Sequence, residues 1–118
     1  MTKARGRYAP DRGDLVWLEF DPQAGHEQRG HRPALVLSPA EYNRKVGLAL
    51  VCPLTTKVKG YPFEVKVSDR DAGEHSNVVL ADQVKSVDWH ARSARRFGRV
   101  SAEALAEVTH KLAALIGA

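Results

Sequence analysis

Hydrophobic and polar residues follow the period of β-strands over most of the chain. Residues 15–21, LVWLEFD, and 62–67, PFEVKV, place an apolar residue at every second position, which predicts strands with one exposed face. Residues 34–37, ALVL, and 48–55, LALVCPLT, are continuously apolar, as is typical of strands buried on both faces. Because Pro53 cannot donate to a sheet ladder, we expect the last of these strands to bend or to lie at an edge there.

The second half adds shorter strands and changes period near its end. VVLAD predicts a fifth strand, QVKSVDW and FGRV predict shorter extended pieces, and AEYNRK suits only a turn or two of helix. Ser101 is a good N-cap, and Gly117 ends a helix whose predicted apolar stripe consists of Leu105, Val108, Leu112, Leu115 and Ile116. Five or more mostly antiparallel strands with a C-terminal helix predict an α+β, mainly β fold, built as a compact barrel.

Length and composition favour one small domain. The 118 residues can bury a substantial core without disulfides, so we expect a single domain over 1–118, with residues 1–10 flexible. Cys52 is the one cysteine, and its apolar setting predicts a buried thiol. The sequence has no long apolar run and no charged-then-apolar leader, from which we expect a cytoplasmic protein with no membrane association.

Positive charge is concentrated in one segment. The chain carries 18 Lys and Arg against 14 Asp and Glu, a net charge of +4. Residues 89–99, WHARSARRFGR, contain four arginines and no acid, which equals that whole net charge. Two interpretations are open: a face that binds nucleic acid, or a solvated set of arginines on a barrel rim.

The segment before the second strand is dense in reactive side chains. Two imidazoles, a carboxylate, an amide and two guanidiniums fall within seven positions: His26, Glu27, Gln28, Arg29, His31 and Arg32. Pro33 fixes φ and begins the apolar run, so we expect the second strand to start at Pro33 and Arg32 to lie at the rim of the core.

Two classes of function compete on these residues alone. A basic binding module needs only positive charge and aromatic platforms. An RNA-cleaving enzyme must also deprotonate a 2′-hydroxyl, neutralise charge on the phosphate and protonate the leaving oxygen. Arg32 is the best charge stabiliser because its planar fork can hold two phosphate oxygens, and Thr55 can hydrogen-bond the same phosphate. His31 suits acid–base work because its ordinary pKa permits both proton directions.

Four blocks, YAPDRGDLVWLEFDP, GHEQRGHRPALVLSP, LTTKVKGYPFEV and LADQVKSVDW, resemble the MazF (PemK-like) toxin family in content and order. The stretch Asp69 to Asn77 falls outside the resemblance. The resemblance implies an SH3-like barrel with a terminal helix and a sequence-selective endoribonuclease of single-stranded RNA. It also implies a symmetric homodimer, a MazE-like antitoxin as partner, no cofactor and a metal-free reaction that first yields a 2′,3′-cyclic phosphate.

The resemblance also implies roles for individual residues. Arg32 and Thr55 match residues needed for cleavage in the family, and Glu27 matches a glutamate implicated in some members. Glu27 is either a base or an ordinary ion-pair partner of Arg32 or Arg29. The residues expected to contact RNA are Gln28, Arg29, Lys57, Lys59, Asp82 and Gln83. Asp82 also matches a catalytic residue of some PemK-like members, so it is expected to bind RNA first and to act in catalysis second.

Other sites and functions are less favoured. The remaining histidines lie far apart in sequence, with no spacing that suggests zinc, so we expect no metal site. A CcdB-like toxin that poisons a topoisomerase is an alternative with a similar barrel, but a tryptophan near the end is expected there and this chain ends in KLAALIGA. A non-catalytic nucleic-acid-binding module is the second alternative.

Overall fold

The computed structural model describes residues 8–20, 30–68, 71 and 78–118. Within these residues the chain forms seven strands and two helices. Their bounds are β1 Asp14–Phe20, β2 Gly30–Val36, α1 Ala40–Val46, β3 Ala49–Thr55, β4 Glu64–Lys66, β5 Val78–Leu80, β6 Lys85–Val87, β7 Arg95–Arg99 and α2 Ala102–Ile116.

All paired strands are antiparallel, in the order β4-β5-β3-β2-β1-β7, with β6 also paired to β3. β3 changes partner along its length: Ala49–Val51 pair with β6, whereas Leu54 and Thr55 pair with β5. Pro53 lies between these two parts, where the missing N–H removes one ladder donor. The change of partner confirms the bend predicted at Pro53, and the architecture confirms the predicted α+β, mainly β fold.

β2 begins earlier than the sequence predicted. The prediction started it at Pro33, but Gly30 pairs with Phe20, His31 with Glu19 and Arg32 with Leu18. The prediction was wrong because β1 extends to Phe20 and offers a partner to three further residues. His31 and Arg32 therefore belong to a strand, and successive strand residues point to opposite faces.

The core has two apolar clusters. The first consists of Leu15, Leu35, Cys52, Leu54, Val65, Val67, Val79, Ala81, Val100, Ala104 and Val108, with Leu37, Val84, Phe97 and Leu105 packed against it. The second consists of Val16, Leu18, Ala34, Val36, Ala49, Val51 and Val87, with Phe20, Trp89 and Ala94 packed against it. Neighbours along β1 and β2 fall in different clusters, so each of these strands is buried on both faces.

α2 covers the first cluster. Ser101 Oγ accepts a hydrogen bond from Ala104 N, and Gly117 ends the helix with a left-handed backbone, as predicted. Ala104 and Val108 carry the buried side of the helix. Leu115 and Ile116, which the predicted stripe included, are instead 49% and 72% exposed. Neither of these two side chains packs against the apolar clusters of the core.

A network of charged groups fixes the N-terminal corner. Asp14 is 2% exposed and accepts hydrogen bonds from the Tyr8 hydroxyl and the Asp11 N–H, both at 2.9 Å. Partial burial, together with the bond to Asp14, raises the pKa of the Tyr8 phenol. Ala9 and Pro10 are buried, and Asn43 Nδ2 donates to Pro10 O at 2.7 Å, so these two positions are packed; flexibility over residues 1–10 stays a prediction.

Asp11 also stabilises α1. The N-cap residue of α1 is Pro39, which has no capping side chain, and Asp11 Oδ1 accepts from Ala40 N at 2.8 Å. This bond, with a second from Arg12 N, holds the pKa of Asp11 below its usual value. A carboxylate that is distant in sequence thus replaces the missing cap.

Asp71 is the one described residue of the stretch Asp69 to Asn77. Its backbone carbonyl lies against Gly98, where an added Cβ would approach to 2.5 Å, and its carboxylate accepts from Ser101 N at 3.1 Å. Asp71 therefore packs on the corner between β7 and α2. The remaining residues of this stretch lie outside the described part of the chain.

Candidate active site

Arg32 lies on the face of β2 that also carries Ala34 and Val36. Its guanidinium carbon is 5.8 Å from the centre of the Phe20 ring, at cation–π distance. A small cavity of about 30 Å³ beside it is lined by apolar side chains and by Lys85. Arg32 itself is exposed, so it presents a fixed positive charge at the rim of the core, as the sequence predicted.

The sheet register places Thr55 and Arg32 beyond the same end of the β2–β3 ladder. Ala34 pairs with Pro53, and two residues further along each strand, on the same face, stand Arg32 and Thr55. β3 leaves β2 at this point to pair with β5. The two residues thus flank the gap that opens where these strands diverge.

Thr55 has a defined hydrogen-bonding state. Its Oγ1 accepts from Lys57 N at 3.1 Å, which leaves the hydroxyl hydrogen to donate elsewhere. Thr55 also lines a cavity of about 420 Å³ together with Lys57, Lys59, Tyr61, Glu64, Leu80 and Gln83. The structure thereby brings three of the predicted RNA-contact residues, Lys57, Lys59 and Gln83, to the cavity of Thr55.

The turn after Thr55 is held by one carboxylate. Glu64 accepts from Lys59 N and from Gly60 N, both at 2.8 Å. Glu64 thus fixes the backbone at Lys59 on the cavity rim, while the backbone at Lys57 is held by its bond to Thr55 Oγ1.

Asp82 has a partner within the protein. Its Oδ1 accepts from the Tyr61 hydroxyl at 2.7 Å, and this bond is the main cause that raises the pKa of Tyr61. Asp82 therefore joins the turn after β5 to the loop before β4. The neighbouring Gln83 lines the Thr55 cavity, whereas Asp82 does not line it.

His31 lies on the opposite face of β2. Its ring is 3.7 Å from the Glu19 carboxylate, 3.1 Å from the guanidinium of Arg95, and 6.1 Å between centroids from Trp17. The structure thus separates His31 from Arg32, although the two residues are adjacent in sequence.

The arginines of residues 89–99 also divide between different sites. Arg99 Nη1 donates to Asp14 Oδ1 at 2.7 Å, and Arg96 lies 3.8 Å from the same oxygen. Arg95 contacts His31, and Arg92 stacks on Phe20. The segment is therefore not a single basic face: two of its arginines neutralise a buried carboxylate.

Sequence reasoning did not predict that Phe20 and Lys85 lie beside Arg32, or that Arg92, one of the arginines of residues 89–99, contacts the same Phe20 ring. Phe20 contacts both guanidiniums, and Lys85 lines the small cavity beside Arg32. The alternation of β1 placed Phe20 on the face of Val16 and Leu18. The missing information was the pairing of β1 with β2, which brings Phe20 to Arg32.

Other predictions fall outside the site or outside the described residues. Glu27, Gln28 and Arg29 lie in the stretch that the structure does not describe, so their roles stay predictions. Among the residues that are described, no group of three or more His, Cys, Asp or Glu is arranged to hold a metal ion. Cys52 is buried, as predicted, and burial raises the pKa of its thiol to about 12.

The fold and the site define a class: a small antiparallel sheet with a C-terminal helix that presents an arginine and a threonine where two strands diverge. A sequence profile described as the PemK-like, MazF-like toxin of type II toxin-antitoxin systems matches residues 11–116. The chain belongs to this family.

Individual relatives agree with this assignment. The chain is 54% identical to the endoribonuclease toxin MazF of Escherichia coli K12, over 94% of this chain and 97% of that protein. It is 38% identical to the endoribonuclease toxin ChpB of the same organism, over 90% and 93%. The fold matches a MazE-MazF crystal structure from Deinococcus radiodurans with a TM-score of 0.85 at 52% identity, covering 93% and 98% of the two chains.

Within the described part of the chain, no helix is long and apolar enough to cross a membrane.

Proposed function

We propose that this protein is a sequence-selective endoribonuclease toxin that cleaves single-stranded messenger RNA. The observation that carries the proposal is the placement of Arg32 and Thr55 on one face, at the point where β2 and β3 diverge. Relatives that are 54% and 38% identical bear the name endoribonuclease toxin, which supports the same activity. The proposed cellular location is the cytoplasm, where messenger RNA is available.

The proposed reaction is a transesterification. The ribose 2′-oxygen attacks the adjacent phosphorus and loses its proton, the bond from phosphorus to the 5′-oxygen breaks, and that oxygen gains a proton. The products are a 2′,3′-cyclic phosphate and a 5′-hydroxyl. Negative charge grows on the phosphate oxygens as the fifth bond forms, so donors aimed at those oxygens accelerate the reaction.

Arg32 supplies a permanent charge and two parallel N–H groups, which suit two phosphate oxygens. Thr55 adds one neutral donor, because its oxygen already accepts from Lys57 N and its hydrogen is left to bind phosphate. In this proposal the chain itself provides the positive charge, and no metal ion or other cofactor takes part.

The reaction also needs a base that removes the proton of the 2′-hydroxyl. Glu27, outside the described residues, is the proposed base or a partner that orients Arg32. A Glu27→Gln variant separates these roles: loss of a base removes the acidic limb of the pH–rate profile, whereas loss of an orienting ion pair lowers the rate at every pH.

Partners follow from the same assignment. We propose a homodimer and a MazE-like antitoxin whose acidic segment covers the basic rim around Arg32, Lys57 and Lys59. The matched Deinococcus radiodurans structure is of a MazE-MazF complex. Neutralising the two lysines should weaken antitoxin binding. The affinity of the variant should also fall less with added salt than that of the parent.

Incubation with a long single-stranded RNA tests the proposed function against its alternatives. Discrete fragments ending in 2′,3′-cyclic phosphate support it. Retention of intact RNA would instead indicate a binding module. A protein that neither binds nor cleaves the RNA, but arrests a topoisomerase on DNA, would indicate a CcdB-like toxin.

A further inference from the structure

The segment between β3 and β4, residues 56–63, contributes one wall of the Thr55 cavity, and Lys59 lies on that wall. We call this segment the β3–β4 turn. Its first five residues are exposed and belong to no strand or helix. An exposed, irregular segment ordinarily samples many conformations, so ordering it when a ligand binds costs entropy. The contacts that hold the turn in one conformation therefore decide how well Lys59 is placed.

The end of the turn nearest β4 is anchored to the rest of the fold. The Tyr61 hydroxyl donates to Asp82 Oδ1 at 2.7 Å, and Lys111 Nζ, on α2, donates to Pro62 O. These contacts come from the segment after β5 and from the C-terminal helix. They hold the turn at Tyr61 and Pro62.

Glu64, the first residue of β4, holds the middle of the turn. Its Oε2 accepts from Lys59 N and its Oε1 accepts from Gly60 N, both at 2.8 Å. Gly60 has a φ of 83°, in the left-handed region, and successive N–H groups converge on one anion where the backbone bends in this way. Glu64 is half-buried and pairs with Leu80 of β5, so the acceptor belongs to the sheet.

Both carboxylate oxygens are needed for this arrangement. Hydrogen bonds from N–H groups to an ionised carboxylate are about twice as strong as those between neutral groups. An amide has one acceptor oxygen and would turn an NH₂ group toward the second backbone N–H. Glu64→Gln therefore keeps the shape of the side chain but releases at least one of the two backbone groups.

We propose that Glu64 is a positioning residue that acts through Lys59, by fixing the backbone that carries this lysine on the cavity wall before RNA binds. The inference rests on the proposed function, because it takes RNA as the ligand of Lys59. Each oxygen of Glu64 accepts from a backbone donor, so Glu64 is assigned no proton transfer. Its loss should weaken RNA binding and leave the chemical step intact.

Affinity for a 2′-O-methyl RNA oligonucleotide measures binding without cleavage, because the attacking hydroxyl is blocked. We expect Lys59→Gln to weaken binding about three- to tenfold and to make the plot of log affinity against log salt shallower by about 0.7, the value for one phosphate contact. Glu64→Gln should weaken binding within the same range. The double variant should bind no more than about twofold more weakly than Lys59→Gln alone, because the two changes remove one contact.

Exposed positions of α1 provide matched controls, because they do not line the Thr55 cavity. Glu41→Gln and Lys45→Gln should each bind like the parent. In the Lys45→Gln background, Glu64→Gln should have its full effect.

Two further measurements separate positioning from other roles. Amide hydrogen exchange should show protection at Lys59 and Gly60 in the parent and exchange at least about tenfold faster in Glu64→Gln, while the buried Val79 keeps its parental protection. On cleavable RNA, Glu64→Gln should keep both limbs of the pH–rate profile and a kcat within about threefold of the parent.

Parental affinity in Glu64→Gln, or additive losses in the Lys59→Gln background, would overturn the positioning role. Loss of a limb of the pH–rate profile would make Glu64 a catalytic residue instead. Unprotected Lys59 and Gly60 amides in the parent would overturn the proposal without any variant, which covers a Glu64→Gln protein that does not fold. If the parent binds the oligonucleotide but cleaves no RNA, the proposed function fails, while the affinities still decide the role of Glu64.

Discussion

His31 and Arg32 show how much depends on the direction of a single side chain. Either residue has suitable chemistry for RNA cleavage, but the strand turns Arg32 toward Phe20 and His31 toward Glu19 and Arg95. His31 therefore contacts a carboxylate and a guanidinium on the face away from the proposed phosphate site.

His31→Ala should leave the cleavage rate within about threefold of the parent, because the strand places His31 on the face opposite Arg32. The exposed contact with Glu19 contributes at most about 1 kcal/mol to stability, so folding should survive. The measurement is a pH–rate profile of both proteins on the same RNA. Loss of one limb of that profile, together with most of the rate, would make His31 the acid or base.

Thr55 should act through its hydroxyl hydrogen. Thr55→Val keeps the shape of the side chain but removes the donor, which is desolvated when RNA binds. The change should raise the activation free energy by about 1.5–3 kcal/mol, which lowers kcat roughly 10- to 150-fold. Thr55→Ser, which keeps the donor, is the matched control and should retain most of the rate. Equal losses in both variants would instead indicate that Thr55 matters for the shape of the turn.

At the scale of elements, the strand pattern was largely predictable because alternation and apolar runs report burial directly. The bend at Pro53 was predictable as well, since a missing N–H has a fixed consequence in a sheet. The start of β2 was not, because it depends on how far β1 extends as a partner. A residue assigned to a loop has no defined direction, so the divergence of His31 from Arg32 could not be anticipated.

The contacts of the arginines in residues 89–99 also depend on residues that are distant in sequence. Within residues 89–99 no acid is present, but the buried carboxylate that needs Arg96 and Arg99 belongs to Asp14, on a neighbouring strand. Burial of a charge without partners is costly, so this carboxylate takes two of the four arginines. Local sequence cannot show this, because the pairing is made by the sheet.

The cap that Asp11 supplies to α1 gives a prediction at this scale. Asp11→Ala should lower the free energy of unfolding by about 0.5–1.5 kcal/mol at pH 7. The pKa of Asp11 is lowered in the folded state, so its contribution is present above the unfolded value near pH 4 and is lost as the pH falls through the folded value.

Urea unfolding of Asp11→Ala and parent at pH 7 and at pH 3, at one protein concentration, measures the effect. The gap between the two proteins should shrink at pH 3. Asp88→Ala, which removes a local turn acceptor but no helix cap, provides a comparison at the same two pH values. A gap that grows on acidification would contradict the assignment.

For the whole molecule, apolar side chains remain on the surface between β3 and α2. Leu48 and Leu50 are 36% and 39% exposed, and a cavity of about 780 Å³ is lined by Leu37, Leu50, Leu105, Leu112 and their neighbours. We propose that a second copy covers this face. Exposed apolar surface that extends over two elements is typical of an interface.

Sedimentation at micromolar concentration should show a species of twice the 13.0 kDa chain mass. Leu50→Glu should shift it toward monomer, because a charge would be buried in the interface. The control is Val58→Glu, at a position that is 52% exposed in the turn after β3. A parent that sediments only as monomer would contradict the homodimer.

In the proposed reaction the chain, through Arg32, supplies the charge stabilisation for RNA cleavage. The most direct measurement is the single-turnover cleavage rate of parent and Arg32→Ala on one RNA, each with and without chelator. We expect the variant to lose about 3–4 kcal/mol of transition-state stabilisation, several hundredfold in rate, while its melting temperature and dimerisation stay parental. Chelator should change neither rate. An Arg32→Ala protein that cleaves at the parental rate, or a parent that chelator silences and a divalent ion restores, would contradict the claim.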